Sequence, residues 1–204
     1  MARQKTARVK DKWREKKWIT VLAPSAFNNV PIAYIPITGD ASAIGRVVEI
    51  TLFDIVKGDP SQHQYKLYFQ INKVEGETAT TIFKRYEYAK EFLRSLVRRG
   101  SSLINFIGDY KTKDGHIFRI KIIALTQKKL NTSRKHALRL IARDVMAKTI
   151  PEMTIDQFVQ ATAFGKINSD IMAAVKKIIH VRHVGVEKAK IIRTAEAEIA
   201  LLQA

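Results

Sequence analysis

Cysteine is absent from the 204-residue chain, which excludes disulfides, thiolate-zinc sites and cysteine nucleophiles. Proline and glycine are few, 5 and 9, and 46% of the residues are hydrophobic, so the chain has a real core and global disorder is excluded. No apolar run approaches the length of a membrane span. The basic N-terminus is not followed by an apolar stretch with a small-residue cleavage site, and the expected compartment is the cytosol. Catalytic signatures are missing too. Gly165-Lys166 runs into Ile167 and lacks the upstream glycine of a phosphate loop, and neither GxGxxG, GxSxG nor HExxH occurs. His180 and His183 are spaced three apart without an acidic companion, and Asp114 is explained by a turn. The chain is therefore expected to be no enzyme, with no cofactor and no metal site.

Acidic residues are the remaining scarcity. Nineteen Asp and Glu face 36 Lys and Arg, a net charge of +17. Such a surplus repels itself in a compact protein, and a polyanionic partner relieves it. The surplus is patterned: residues 1–18 carry +6 and residues 94–143 carry +11, while 19–93 and 144–204 are balanced at −1 and +1. Clustered cations of this kind are an electrostatic footprint for a partner.

Residues 1–12 (MARQKTARVKDK) have too few apolar residues to fold alone and read as a basic arm. Residues 18–88 read mainly as strands. Apolar or alternating segments at 19–22, 32–37, 46–53, 65–71 and 78–83 are separated by Ala23-Pro24, Gly39-Asp40, Gly58-Asp59-Pro60 and Gly76-Glu77. In 65–71, Tyr65, Leu67, Phe69 and Ile71 share a face. Trp18 is expected to open the first strand and anchor the core, a reading preferred over nucleobase stacking. Residues 89–99 carry Phe92, Leu93, Leu96 and Val97 at helical spacing, ending in a cluster of Arg94, Arg98 and Arg99 with Gly100 as cap. Strands at 103–110 and 116–125 flank the hairpin signal Lys113-Asp114-Gly115. In the second, Phe118, Ile120 and Ile122 face one way, Arg119 and Lys121 the other.

Residues 131–148 make the clearest helix, with Leu138, Ile141, Val145 and Met146 as its core stripe and Thr132 or Ser133 as cap. Lys135, Arg139 and Arg143 recur every four residues on another face. Thr154 and Gln157 form a capping box for a helix through 163, and Ser169-Asp170 opens another to about 179. Residues 181–192 fit a strand as well as a helix, and 194–204 are expected to be helical. The predicted fold class is α+β: a mainly antiparallel β body, barrel-like or sandwich, with packed helices and a basic N-terminal arm. The arm takes 1–17, and one domain takes 18–204, β-rich over 18–126 and helix-rich over 127–204.

The cationic candidates fall on these elements. The arm gives Arg3, Lys5, Arg8, Lys10, Lys12, Arg14, Lys16 and Lys17. The first helix end gives Arg94, Arg98 and Arg99, and the hairpin gives Lys111, Lys113, Arg119 and Lys121. The basic helix and its lead-in give Lys128, Lys129, Arg134, Lys135, Arg139 and Arg143. Phosphate contact that ignores sequence needs only such clusters. No apolar insertion face accompanies them, so a membrane is not expected. Structured RNA fits better than duplex DNA, since neither a recognition helix, a zinc finger nor an RNP1 pattern is present.

The order of segments resembles a small-ribosomal-subunit protein family shared by archaea and eukaryotes, called S-three-A-e or eukaryotic-type S-one. The matching stretches are KWITVLAP at 17–24 with Phe27, GRVVEITL at 45–52, Lys113-Asp114-Gly115 with its strand, TQKK at 126–129, the basic helix, Ile150-Pro151 and residues 180–192. Together they span roughly 16–192. The resemblance implies a non-enzymatic component of the small-subunit platform near the mRNA exit, with small-subunit rRNA and neighbouring ribosomal proteins as partners and mRNA near the exit as a possible further one. The short arm and the ending at Ala204 resemble archaeal members. The competing readings are a free-standing RNA chaperone or translation regulator and, behind it, an RNA-modifying enzyme.

Overall fold

The computed structural model describes residues 13–176 and 178–194. Among them eight strands form one open, mixed sheet with six helices packed on it, an α+β fold whose sheet is mainly antiparallel. The strands are β1 (Lys17–Leu22), β2 (Pro31–Ile37), β3 (Val47–Thr51), β4 (Tyr65–Glu75), β5 (Thr78–Tyr88), β6 (Leu103–Lys111), β7 (Ile117–Thr126) and β8 (Val181–Arg193). The helices are α1 (Asp40–Ala43), α2 (Leu52–Val56), α3 (Lys90–Leu96), α4 (Thr132–Thr149), α5 (Ile155–Ala163) and α6 (Lys166–Lys176).

Strand β5 is where the sheet forks. One edge pairs with β4 along almost its whole length. The other edge is shared: Thr78 and Ala79 pair in parallel with Thr20 and Val21 of β1, and Arg85–Glu87 pair antiparallel with β8. From there the sheet continues through β7 to β6 on one branch and through β1 to β2 on the other. The fork gives two cores. A small one gathers Ile19, Val21, Ile37, Ala43, Ile71 and Ala79 under the β1–β2 hairpin. The large one contains Leu67, Phe69, Phe83, Tyr86 and Tyr88 of the central strands, and Phe118, Ile120 and Ile122 of β7, with the apolar faces of α4, α5 and α6.

Alternation explains which face is buried. In β7 Phe118, Ile120 and Ile122 are at most 2% exposed, and the Phe118 ring packs at 4.6 Å from Phe158 of α5. Burial of such a side chain contributes roughly 1.5–3 kcal/mol. Beyond Ile122 every residue of β7 is buried, because α3 covers the second face at that end; Ile123 lines a depression there with Leu93 and Val97. Asp114 does more than turn the β6–β7 hairpin: its carboxylate accepts the Ile155 N–H at 2.6 Å, capping α5 beside the Thr154–Gln157 box and tying hairpin to helix.

Several expectations are corrected. Trp18 does open β1, but it is 61% exposed, since alternation turns Ile19 and Val21 inward instead. The strand expected over 46–53 stops at Thr51, whose hydroxyl accepts the Asp54 N–H while the Asp54 carboxylate accepts the Thr51 N–H; this capping box starts α2. Helix α3 ends at Leu96, so Arg98, Arg99 and Gly100 lie in the following turn and Gly100 is not its cap. The N-cap of α4 is Asn131, and α6 begins at Lys166, directly after Gly165 in a left-handed conformation (φ 76°). Residues 181–192 are strand. The helix expected over 194–204 lies, beyond Thr194, outside the described residues.

Candidate nucleic-acid interface

The face of the sheet turned away from α4, α5 and α6, open except where α3 covers the end of β7, displays the residues between those of the core. Cross-strand register sets three cations in one row: Arg85 of β5 lies opposite Lys190 of β8, and Lys190 lies opposite Arg119 of β7. Like charges directly opposite one another destabilise a sheet. The flanks of the row are partly neutralised. Asp109 of β6 takes both a Nε–H and an NH2 donor of Arg119 at 2.8 Å, and this pairing lowers the Asp109 pKa. Glu87 lies 3.3 Å from Arg85 and 3.5 Å from Lys188, and the Arg85 guanidinium stacks 3.8 Å over the Tyr68 ring. Lys190, in the middle, has no acidic partner among the described residues, nor has Lys84. A register shift between Tyr68 and Phe69 leaves Lys84 as the extra residue of β5, so Lys84 and Arg85 both line a shallow depression of ≈ 430 Å³ with Val47, Glu49, Tyr68 and Lys190.

The predicted cations distribute around edge strand β6. Arg119 reaches Asp109, and Arg139 of α4 donates from Nε to the Asn105 carbonyl at 3.2 Å. Arg94 of α3 and Lys121 of β7 line one depression with Leu103 and Asn105. Lys111 is on β6 itself, exposed, and Lys113 sits in the turn after it. Cations from four separate segments of sequence thus border one strand. Lys121 is held at 2.7 Å by Glu187, and Arg143 lies 3.4 Å from the Asp144 carboxylate. Lys128 and Lys129 are exposed in the exit from β7, and Arg134 and the half-buried Lys135 lie in the first turn of α4. Arg98 and Arg99 are exposed beyond α3. Arg14, Lys16 and Lys17 belong to a different place, the entry to β1, where the Lys16 ammonium sits 3.4 Å over the Trp13 ring. Arg3, Lys5, Arg8, Lys10 and Lys12 lie outside the described residues.

Sequence reading missed Lys84, Arg85 and Lys190. They fall in charge-balanced segments, and only strand pairing sets them beside Arg119; the one available signal was the Lys188-Ala189-Lys190 alternation. His180 is exposed, whereas His183 is half-buried. His183 packs against the rings of Tyr88 and Phe92, and burial, together with neighbouring Arg182, lowers its pKa. Among the described residues no group of three or more His, Asp or Glu side chains is placed to hold a metal ion, and no helix is long and apolar enough to cross a membrane.

The cationic open face and the β6 border sit on a chain with close relatives. It is 43% identical over 192 residues to the small ribosomal subunit protein eS1 of Desulfurococcus amylolyticus, covering 94% of this chain and 90% of the relative. It is 41% identical over 188 residues to the small ribosomal subunit protein eS1 of Saccharolobus solfataricus, covering 92% and 90%. A model of the Ribosomal S3Ae family matches residues 4–195, nearly the whole length, and the chain belongs to that family.

Proposed function

We propose that this protein is a structural constituent of the small ribosomal subunit in the cytoplasm, binding small-subunit rRNA through the cations that border β6 and the open sheet face. The relatives' shared name supports the ribosomal role. The observation that carries rRNA binding is the row Arg85–Lys190–Arg119, in which like charges stand in direct register around a lysine that has no acidic partner among the described residues. Phosphate oxygens relieve that repulsion and release counterions on binding. The paired strands fix the backbone of the row, so side-chain ordering alone opposes the contact. The cations of α4 meet the same strand from its other side through Arg139, giving two faces to grip folded RNA. The basic arm of 1–17 extends the contact, and the platform near the mRNA exit, with ribosomal-protein neighbours, is the place the family resemblance suggests.

Neutralising Arg134, Lys135, Arg139 and Arg143 together is expected to abolish incorporation into small subunits, read by sedimentation after a high-salt wash. Unchanged incorporation counts against that face. A pool of wild-type protein that leaves the subunit at moderate salt favours a free-standing RNA chaperone or regulator.

A further inference from the structure

The fold leaves a pair of large aromatic rings without a structural task. Trp18 of β1 is 61% exposed and Tyr34 of β2 is 71% exposed. In the antiparallel register Trp18 pairs with Pro36 and Thr20 with Tyr34, so Trp18 and Tyr34 are diagonal neighbours on the same face of the hairpin. The opposite face, with Ile19, Val21 and Ile37, already fills the small core. Immediately before β1, Trp13 is 64% exposed beneath the Lys16 ammonium.

We propose that Trp18 and Tyr34 form a stacking platform for unpaired bases of a single-stranded RNA segment, with Arg14, Lys16 and Lys17 holding its phosphates. This rests on the RNA-binding reading above and adds a second chemistry to it. Charge complementarity selects the occupant: between residues 12 and 39 the only acid is Glu15, against Lys12, Arg14, Lys16 and Lys17. A partner protein adding a strand to β2 is disfavoured, because Pro36 lacks an N–H and its carbonyl already accepts a hydrogen bond from Arg46 at 3.2 Å. Rings fixed on paired strands lose little freedom on stacking, and every base offers a π-face, so the platform is tolerant of sequence. A duplex, with its bases stacked inside, offers such a platform nothing.

The chain contains two tryptophans, Trp13 and Trp18, so emission excited at the red edge of tryptophan absorption, where tyrosine does not absorb, reports on this surface alone. In full-length protein carrying Trp13→Phe, a labelled eight-nucleotide oligouridylate is expected to bind and to quench Trp18 emission saturably. A blunt-ended RNA duplex of similar charge, which has no unpaired bases, is expected to bind without quenching. Tyr34→Ala is expected to weaken oligouridylate binding about tenfold with an unchanged melting temperature, and Tyr34→Phe to restore it. If the oligonucleotide binds by anisotropy while Trp18 emission and the Tyr34→Ala affinity stay unchanged, the platform is overturned and the electrostatic reading stands. If neither RNA binds, the RNA-binding reading fails and the platform with it. Quenching that follows protein concentration in the absence of RNA assigns the patch to self-association and also overturns the proposal.

Discussion

Phe118 and Arg119 are adjacent in sequence and serve opposite ends. Phe118 is fully buried against α5, whereas Arg119 stands on the open part of the opposite face in a row of cations. The same division runs through β5 and β8, where Tyr86 and Ala189 face the helices and Arg85 and Lys190 face away. One face of the sheet is specified by shape and apolar area, the other by charge. The covered face holds most of the large core, which leaves the open face able to carry unfavourable like-charge neighbours for a partner to neutralise.

That contrast breaks if the two faces respond alike to substitution. The largest effect is expected from Phe118→Ala, which opens a cavity under α5 and costs about 3–5 kcal/mol of unfolding free energy in a denaturant titration. Arg119→Gln, one residue on, is expected to leave the denaturation midpoint nearly unchanged. Equal losses would mean that the open face also supports the fold.

Gly185→Ala comes next. A Cβ there runs into the Tyr88 hydroxyl and ring, so about 1–3 kcal/mol is lost, and Tyr88→Phe in the same background recovers part of it. Replacing Lys84 and Lys190 together with Gln is expected to change stability by no more than about 0.5 kcal/mol. The same change flattens the salt dependence of rRNA binding by roughly 0.7–0.9 in log–log slope for each phosphate that is no longer neutralised. An unchanged slope removes these two lysines from the interface.

The smallest expected effect is a pH dependence under α3, at the buried end of β8. Burial holds the His183 pKa below its ordinary value, and the Nε2 atom has no hydrogen-bond partner among the described residues. The unfolded chain then binds that proton more readily, so the fold loses stability as pH falls below about 6.5 and is indifferent to this group above it. Midpoints of His183→Gln measured from about pH 8 to pH 5 should fall less steeply than those of the wild type.

Strands with unbroken alternation were legible in the sequence. Leu67, Phe69 and Ile71 in β4, and Phe118, Ile120 and Ile122 in β7, are buried as their period predicts. Local capping chemistry was equally plain at Thr154, and equally available at Thr51 and Asp54, where the alternation of 46–53 masked it. Residues 181–192 were ambiguous for a physical reason. The β7–β8 pairing shifts register between Lys121 and Ile122 and again between Leu125 and Thr126, so the buried residues of β8 fall at uneven spacing. Trp18 misled because size and hydrophobicity say nothing about which side of a two-sided strand is covered. Net charge by segment located the hairpin and α4 cations, but Lys84, Arg85 and Lys190 join Arg119 only through long-range pairing, which no window of sequence contains.

The most direct test compares lysine reactivity toward an acylating reagent, read by mass spectrometry, in the free protein and within salt-washed small subunits. Lys84, Lys135 and Lys190 are expected to become protected in the subunit, whereas Lys57 after α2 and Lys73 near the β4–β5 turn keep their free reactivity. Protection of Lys57 and Lys73 with Lys84 and Lys190 left fully reactive would contradict the assignment of the open face to rRNA.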